Sequence, residues 1–121
     1  MIDVDIEQPL GGFLLQASFC ADAPVVGVFG RSGAGKSSLV NVIAGVAKPR
    51  RGHVRINDVT LFDSERRINV PSPARRVGYV FQDSLLFPHL SVRANLMYGH
   101  RLHAAGTQFI EPPRVIDVLG L

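Results

Sequence analysis

Gly30-Arg31-Ser32-Gly33-Ala34-Gly35-Lys36-Ser37 stands between an apolar run, Val25 to Phe29, and a stretch of helical spacing, Ser37 to Ala47. It reads G-x-x-x-x-G-K-S, a phosphate-binding loop. Gly30, Gly33 and Gly35 can take backbone angles that a side chain forbids, so successive N–H groups can converge on one anionic point. Lys36 adds a mobile point charge for β- and γ-phosphates, and the Ser37 hydroxyl suits a hard, oxygen-seeking Mg²⁺. The helix that follows contributes its positive N-terminal end. Ordinary residue frequencies produce the fixed positions by chance in roughly one of a few hundred chains this long. A run of β-branched residues before the loop and an amphipathic helix after it are the context the motif requires.

Working outward, 121 residues suffice for one domain with one core. With 46% hydrophobic and 19% charged residues, the composition is that of an α/β protein without low-complexity segments or repeats. The apolar stretches fall short of the roughly 20 residues a membrane span needs. The N-terminus, Met1-Ile2-Asp3-Val4-Asp5, is acidic and alternating where a signal peptide is basic and then apolar. These features predict a cytoplasmic protein. Cys20 is the only cysteine and reads as a small buried hydrophobe in a reducing compartment. The net charge of +3 comes mostly from Arg50-Arg51, Arg66-Arg67 and Arg75-Arg76, which read as solvated loop charges. No aromatic-interleaved basic stripe points to nucleic acid.

In chain order, Ile2 to Glu7 alternates apolar and acidic residues, and Phe13 to Phe19 reads as a second strand after the turn Pro9-Leu10-Gly11-Gly12. Val25-Val26-Gly27-Val28-Phe29 does not alternate, which predicts a strand buried on both faces of a parallel sheet. The helix is expected to end before Lys48-Pro49. His53 to Ile56 and Val59 to Phe62 flank Asn57-Asp58, a hairpin turn. Asp63 to Ala74 carries two prolines and no periodicity and reads as a surface loop. Arg76 to Phe81 is a further strand that delivers Gln82 at its carboxyl end, where ligands of parallel sheets bind. Gln82 is therefore a candidate for Mg²⁺ or its waters. Ser91 is placed to cap a helix from Val92 to Tyr98, and Arg114 to Leu119 begins another. The fold class expected is α/β, a P-loop core carrying an N-terminal antiparallel β-subdomain, with a helical part only begun.

The phosphate loop, extended through Ser38, together with Val77-Gly78-Tyr79-Val80-Phe81-Gln82-Asp83 leading into Leu85-Leu86-Phe87-Pro88-His89-Leu90-Ser91-Val92, resembles the ATP-binding subunits of ABC transporters. The run from Ala74 to Gln82 and the Phe29-Gly30 join look most like the branch of that family that serves molybdate importers. The resemblance runs over the whole chain, most densely from Val25 to Gly99. It implies that residues 1–121 are the N-terminal portion of a nucleotide-binding domain. Gly30, Arg31, Ser32, Gly33, Ala34, Gly35, Lys36, Ser37 and Ser38 would hold ATP, and Ser37 and Gln82 would serve Mg²⁺. Gln82 would open the loop that senses a membrane permease, and Leu85 to Phe87 would be either partner-facing or a core contact. The implied complete protein is a head-to-tail homodimer on the cytoplasmic face of the inner membrane, coupling ATP hydrolysis to molybdate uptake without nucleic acid.

The sequence departs from the family at two points. Family members stack adenine on an aromatic residue near the first turn, and here the candidates are Phe13 and Leu10. The family's signature Leu-Ser-Gly-Gly segment, its second acidic strand with the catalytic glutamate, and its switch histidine have no counterpart, so no catalytic residue is assigned in these 121 residues. His53, His89, His100 and His103 have no carboxylate or cysteine cluster beside them and read as surface or hinge residues. Asp83 reads as a hydrogen-bonded loop residue. Alternatives are an ABC ATPase for sulfate, iron or a sugar, a small P-loop kinase, and a nucleotide-binding fragment without catalysis.

Overall fold

The computed structural model describes residues 1–83, 85–99 and 111–120, in two units, Met1–Tyr79 and Val80–Leu121. In the first unit, the alternation of Ile2, Val4 and Ile6 with Asp3, Asp5 and Glu7 makes strand β1 (Ile2–Leu10) two-faced. It pairs antiparallel with β2 (Phe13–Ala21), from Ile2 opposite Ala21 to Leu10 opposite Phe13, through a turn at Gly11 with φ of 53°. Its other side pairs with β3 (Arg51–Ile56) only between Ile2 and Glu7, so Pro9 stands where one side of the strand has no ladder. β4 (Val59–Asp63) follows through Asn57, at φ of 52°, and β5 (Ile68–Asn69) closes the order β2-β1-β3-β4-β5.

Period-two alternation aims Val4, Ile6, Leu15, Val54 and Phe62 at one face, where helix α1 (Lys36–Ala44) covers them with Leu39 and Val42. Val4, Val42, Val54 and Phe62 are fully buried, each worth about 1.5–3 kcal/mol of transfer from water. α1 is shorter than the spacing predicts. Gly45, at φ of 79°, ends it by donating its N–H back to Asn41 and Val42.

The opposite face is a groove of about 540 Å³ lined by paired charges. Arg51 Nη2 donates to Glu7 Oε2 at 2.8 Å, and His53 Nε2 lies 3.1 Å from Asp3 Oδ2. Arg55 lies 3.8 Å from Asp3 and 3.7 Å from Asp63. Cys20 belongs to this side. It stands directly opposite Asp3 in the ladder and is exposed, which corrects the expectation of a buried thiol. Strand parity, not side-chain hydrophobicity, decides its face.

Two expected strands are not formed. Residues 25–29 and 76–81 pair with no strand among the described residues, and Val25, Phe29 and Val80 are 84%, 95% and 95% exposed. An unalternating apolar run becomes a parallel strand only where neighbours and covering helices exist on both faces. Here the described sheet is antiparallel throughout. The stretch from Asp63 to Ala74 is also not a simple loop. β4 runs through a buried Asp63, β5 follows, and a 3₁₀ turn occupies Ser72–Arg75. Arg50, Arg51, Arg66, Arg67 and Arg76 are exposed, but Arg75 is buried.

In the second unit, α2 (Val92–Leu96) starts at Ser91, whose Oγ accepts from Ala94 N at 3.2 Å. It stops at Leu96, with Met97 as its C-cap, two residues short of Tyr98. The Asn95 side chain ties the preceding turn, accepting from Phe87 N and donating to the carbonyls of Phe87, Leu90 and Ser91. The Phe87 ring packs on Tyr98 at 4.6 Å, while Leu85 and Leu86 are exposed, so the core alternative for those two leucines is not met. α3 (Pro112–Leu119) begins with prolines in its first turn and ends at Gly120 with φ of 67°. His100 and His103 lie outside the described residues.

Asp63 Oδ1 accepts from the backbone N–H of Arg66 at 3.0 Å and of Glu65 at 3.1 Å. The Arg66 N–H bond foremost, against an opposing effect of burial and helped by Glu65 N–H and the charges of Arg55 and Arg66, holds this carboxyl below its ordinary 3.8. A depressed folded pKa contributes stability above the unfolded value, and that stability is lost as pH falls through the folded one. Thermal unfolding followed from about pH 6 to about pH 2 should therefore show a steeper acid-side loss for the native chain than for Asp63→Asn, whose amide oxygen keeps the acceptor without the titration. Parallel curves would mean that Asp63 carries none of the acid sensitivity.

Candidate functional site

The glycine-rich loop is built by two left-handed glycines. Gly33 has φ of 79° and Gly35 of 91°. A Cβ at Gly33 would meet nothing within 4 Å, so the backbone angle alone requires glycine there. Gly35 is constrained twice, because a Cβ would come 2.9 Å from Leu15 Cδ1 and 3.5 Å from Leu10 Cδ1. Through these leucines the β1–β2 hairpin seats the loop at the head of α1. Ala34 N donates to Arg31 O at 3.2 Å, closing the turn.

Gly35 is the N-cap of α1 and offers its carbonyl to Leu39 N at 2.9 Å. No side chain caps the helix and no acidic residue occupies its first turn. The N–H groups of Lys36, Ser37 and Ser38 meet no acceptor among the described residues. A helix leaves such donors over at its start, and they carry the positive end of its dipole. The Lys36 ammonium bends back over the loop and donates to Gly30 O and Arg31 O, each at 2.8 Å. Both bonds are exposed, so the ammonium can exchange them for an anion's oxygens. Residues Gly30 to Ala34 and Ser37 are exposed, while Gly35, Lys36 and Ser38 are half-buried. Open donors, a glycine cradle and a mobile cation fit a phosphate group.

Gln82 lies in the second unit, exposed, in a bend after Phe81. Asp83 is exposed beside it. Among the described residues no group of three or more His, Cys, Asp or Glu side chains is placed to hold a metal ion.

Sequence reasoning missed what holds the far end of α1. Arg75 Nη1 donates to Val42 O at 2.8 Å and to Ile43 O at 2.9 Å, and Ser72 Oγ donates to Ala44 O at 2.8 Å. Arg75 Nε and Nη2 hold its own loop at Val70 O, 2.8 Å, and Asn69 Oδ1, 3.2 Å. Burial lowers the Arg75 pKa from its ordinary value, yet a guanidinium stays charged in proteins. Its charge therefore sits on the carbonyl end of the helix dipole. Tyr79 OH donates to Asn41 Oδ1 at 2.9 Å. The one sequence signal for this arrangement was Gly45. A Cβ there would stand 2.5 Å from Arg75 Nε, so glycine makes room for the guanidinium.

Residues 18–118 match the ABC transporter family. The chain is similar to the molybdenum import ATP-binding protein ModC of Rhizobium meliloti, 45% identical over 120 residues, covering 99% of this chain and 34% of the relative. It is similar to that of Paramagnetospirillum magneticum, 40% identical over 121 residues, covering 100% of this chain and 33% of the relative. With that of Brucella abortus it shares 45% over 104 residues, 83% of this chain and 29% of the relative. The chain thus spans about a third of the length of the curated relatives it matches.

Lys36→Ala tests the site without testing the core. Its two lost hydrogen bonds are exposed, so the melting temperature without ligand should change little, by less than about 1 kcal/mol in stability. Stabilisation by ATP, read by differential scanning fluorimetry, should disappear. A large loss of stability without ligand would make Lys36 a structural clamp instead.

Proposed function

The chain belongs to the ABC transporter family, and from that premise we propose that it is the N-terminal part of an ATP-binding subunit whose complete form hydrolyses ATP to import molybdate. The observation that carries the reading is the head of α1, where three N–H groups without an acceptor among the described residues, two left-handed glycines and a folded-back Lys36 meet. Similarity at 40–45% to relatives named for molybdenum import supports molybdate over sulfate, iron or a sugar.

In this proposal the backbone from Gly30 to Ser38 receives the phosphates of ATP. Lys36 leaves the carbonyls of Gly30 and Arg31 for the β- and γ-phosphate oxygens, exchanging neutral acceptors for charged ones that bind more strongly. Release of those carbonyls frees the loop to close on the nucleotide. Ser37 and Gln82 are the residues that would hold Mg²⁺, which when bound neutralises phosphate charge. Phe13 and Leu10, facing each other across the end of the β1–β2 hairpin, are the candidates to touch the base. The phosphate loop occupies 30–38 of this portion of the domain, and Gln82 opens the segment that responds to a permease.

The complete protein is proposed to work as a head-to-tail homodimer at the cytoplasmic face of the inner membrane, with a permease as partner and no role for nucleic acid. No helix among the described residues is long and apolar enough to cross a membrane.

The test is uptake of radiolabelled molybdate in cells deleted for this gene and complemented with it in full. The native gene should restore uptake, and Lys36→Ala should leave it at the deletion level, a loss of at least about tenfold, as expected when phosphate positioning is removed. Unaltered molybdate uptake in the deletion, with loss of another anion or of a sugar, would move the substrate assignment. Full uptake with Lys36→Ala would remove ATP from the mechanism.

A further inference from the structure

Resting on the reading that the loop at the head of α1 holds ATP, we propose that Ser72, Arg75 and Tyr79 staple the chain leading to Gln82 onto the tail of α1, with Tyr79 as the positioning residue that carries nucleotide binding toward Gln82. Three independent contacts reach the last turn of one helix from eight consecutive residues. They are Ser72 Oγ to Ala44 O, Arg75 Nη1 to Val42 O and Ile43 O, and Tyr79 OH to Asn41 Oδ1. All lie within the first unit.

A nine-residue helix is a rod about 14 Å long whose internal hydrogen bonds resist stretching. A shift at its head is therefore delivered at its tail. The tail is not simply capped by solvent or by local backbone. Arg75 is 7% exposed, and its guanidinium grips different things on its two sides, the helix carbonyls on one and Val70 and Asn69 on the other. No carboxylate competes for it within hydrogen-bond reach among the described residues. Asn41 is engaged twice, its carbonyl accepting from Val46 N and Ala47 N while its side chain accepts from Tyr79. Tyr79 is the last residue of the first unit, and Gln82 follows three positions on. The arrangement gives the chain a fixed departure point held to the tail of the helix by Tyr79 and Ser72, and to both the helix and the β5 edge by Arg75.

A staple that only stabilises would lower the melting temperature and leave the distribution of ligand effects alone. Positioning predicts a selective loss. Hydrogen–deuterium exchange of the full chain, with and without ATP, reads the loop at 30–40 and the exit at 77–83 separately. In the native chain ATP should slow exchange in both segments. Tyr79→Phe keeps the ring and deletes the donor. It should keep protection at 30–40, with ATP affinity changed by no more than about twofold, and lose protection at 77–83. Asn41→Ala deletes the acceptor from the other side and should give the same split, and the double variant should add nothing. If either variant fails to fold, the other carries the test.

Retained protection at 77–83 in the variants would overturn the proposal, as would a native chain in which ATP protects 30–40 alone. No protection anywhere in the native chain would overturn the ATP reading and the staple with it. The two failures therefore leave different traces.

Discussion

One helix laid across one apolar sheet face is the constraint from which the rest of the first unit follows. Leu39 and Val42 of α1 close over Val4, Ile6, Val54 and Phe62, and every other feature of the site is a consequence of where that helix lies. The sheet can offer such a face because β1 alternates strictly, and because β3 approaches β1 so closely at Gly52 that a side chain there would collide with the Asp5 carbonyl. The polar face pairs its own charges across strands, which lets it remain open to water without drawing on the core.

The two ends of α1 are treated in opposite ways. At the tail every available kind of donor is used, a glycine N–H, a serine hydroxyl and a buried guanidinium, so the carbonyl end is saturated. At the head the N–H groups of Lys36, Ser37 and Ser38 meet no acceptor among the described residues. A fold that invests in one end and leaves the other open directs the helix dipole at whatever arrives there, and the Lys36 ammonium is parked on neutral carbonyls it can leave. This asymmetry suits an incoming anion on physical grounds alone, without reference to any relative.

Much of this was legible in advance. The alternation from Ile2 to Glu7 and the turn at Asn57-Asp58 carry local geometry in the residue types themselves and stand in the structure as expected, while of the three loop glycines Gly33 and Gly35 take left-handed angles and Gly30 does not. What was not legible is non-local. Nothing separates Arg75 from Arg76 in sequence, because the carbonyls that bury Arg75 lie 33 and 32 residues earlier. Residues 25–29 announce an appetite for burial on both faces, but a pattern of apolar residues cannot say whether neighbours are present to satisfy it. Cys20 departs from expectation for a different reason. Its place opposite Asp3 across the hairpin sets it on the charged face, and that position outweighs the general tendency of cysteine to be buried.

The run Ala23 to Gly30 contains no charge and is rich in valine, and it is bracketed by Asp22 and Arg31. Such brackets act as gatekeepers that discourage one chain's apolar strand from joining another's. Ribosomal synthesis delivers this run about twenty residues before β3 begins at Arg51, a wait of about 1 to 4 seconds at ordinary rates. During that interval the antiparallel sheet lacks β3 and β4, and the flanking charges are the local defence the run has against self-association. The identity of residues 22 and 31 therefore bears on the yield of soluble protein, separately from any part Arg31 plays beside a phosphate.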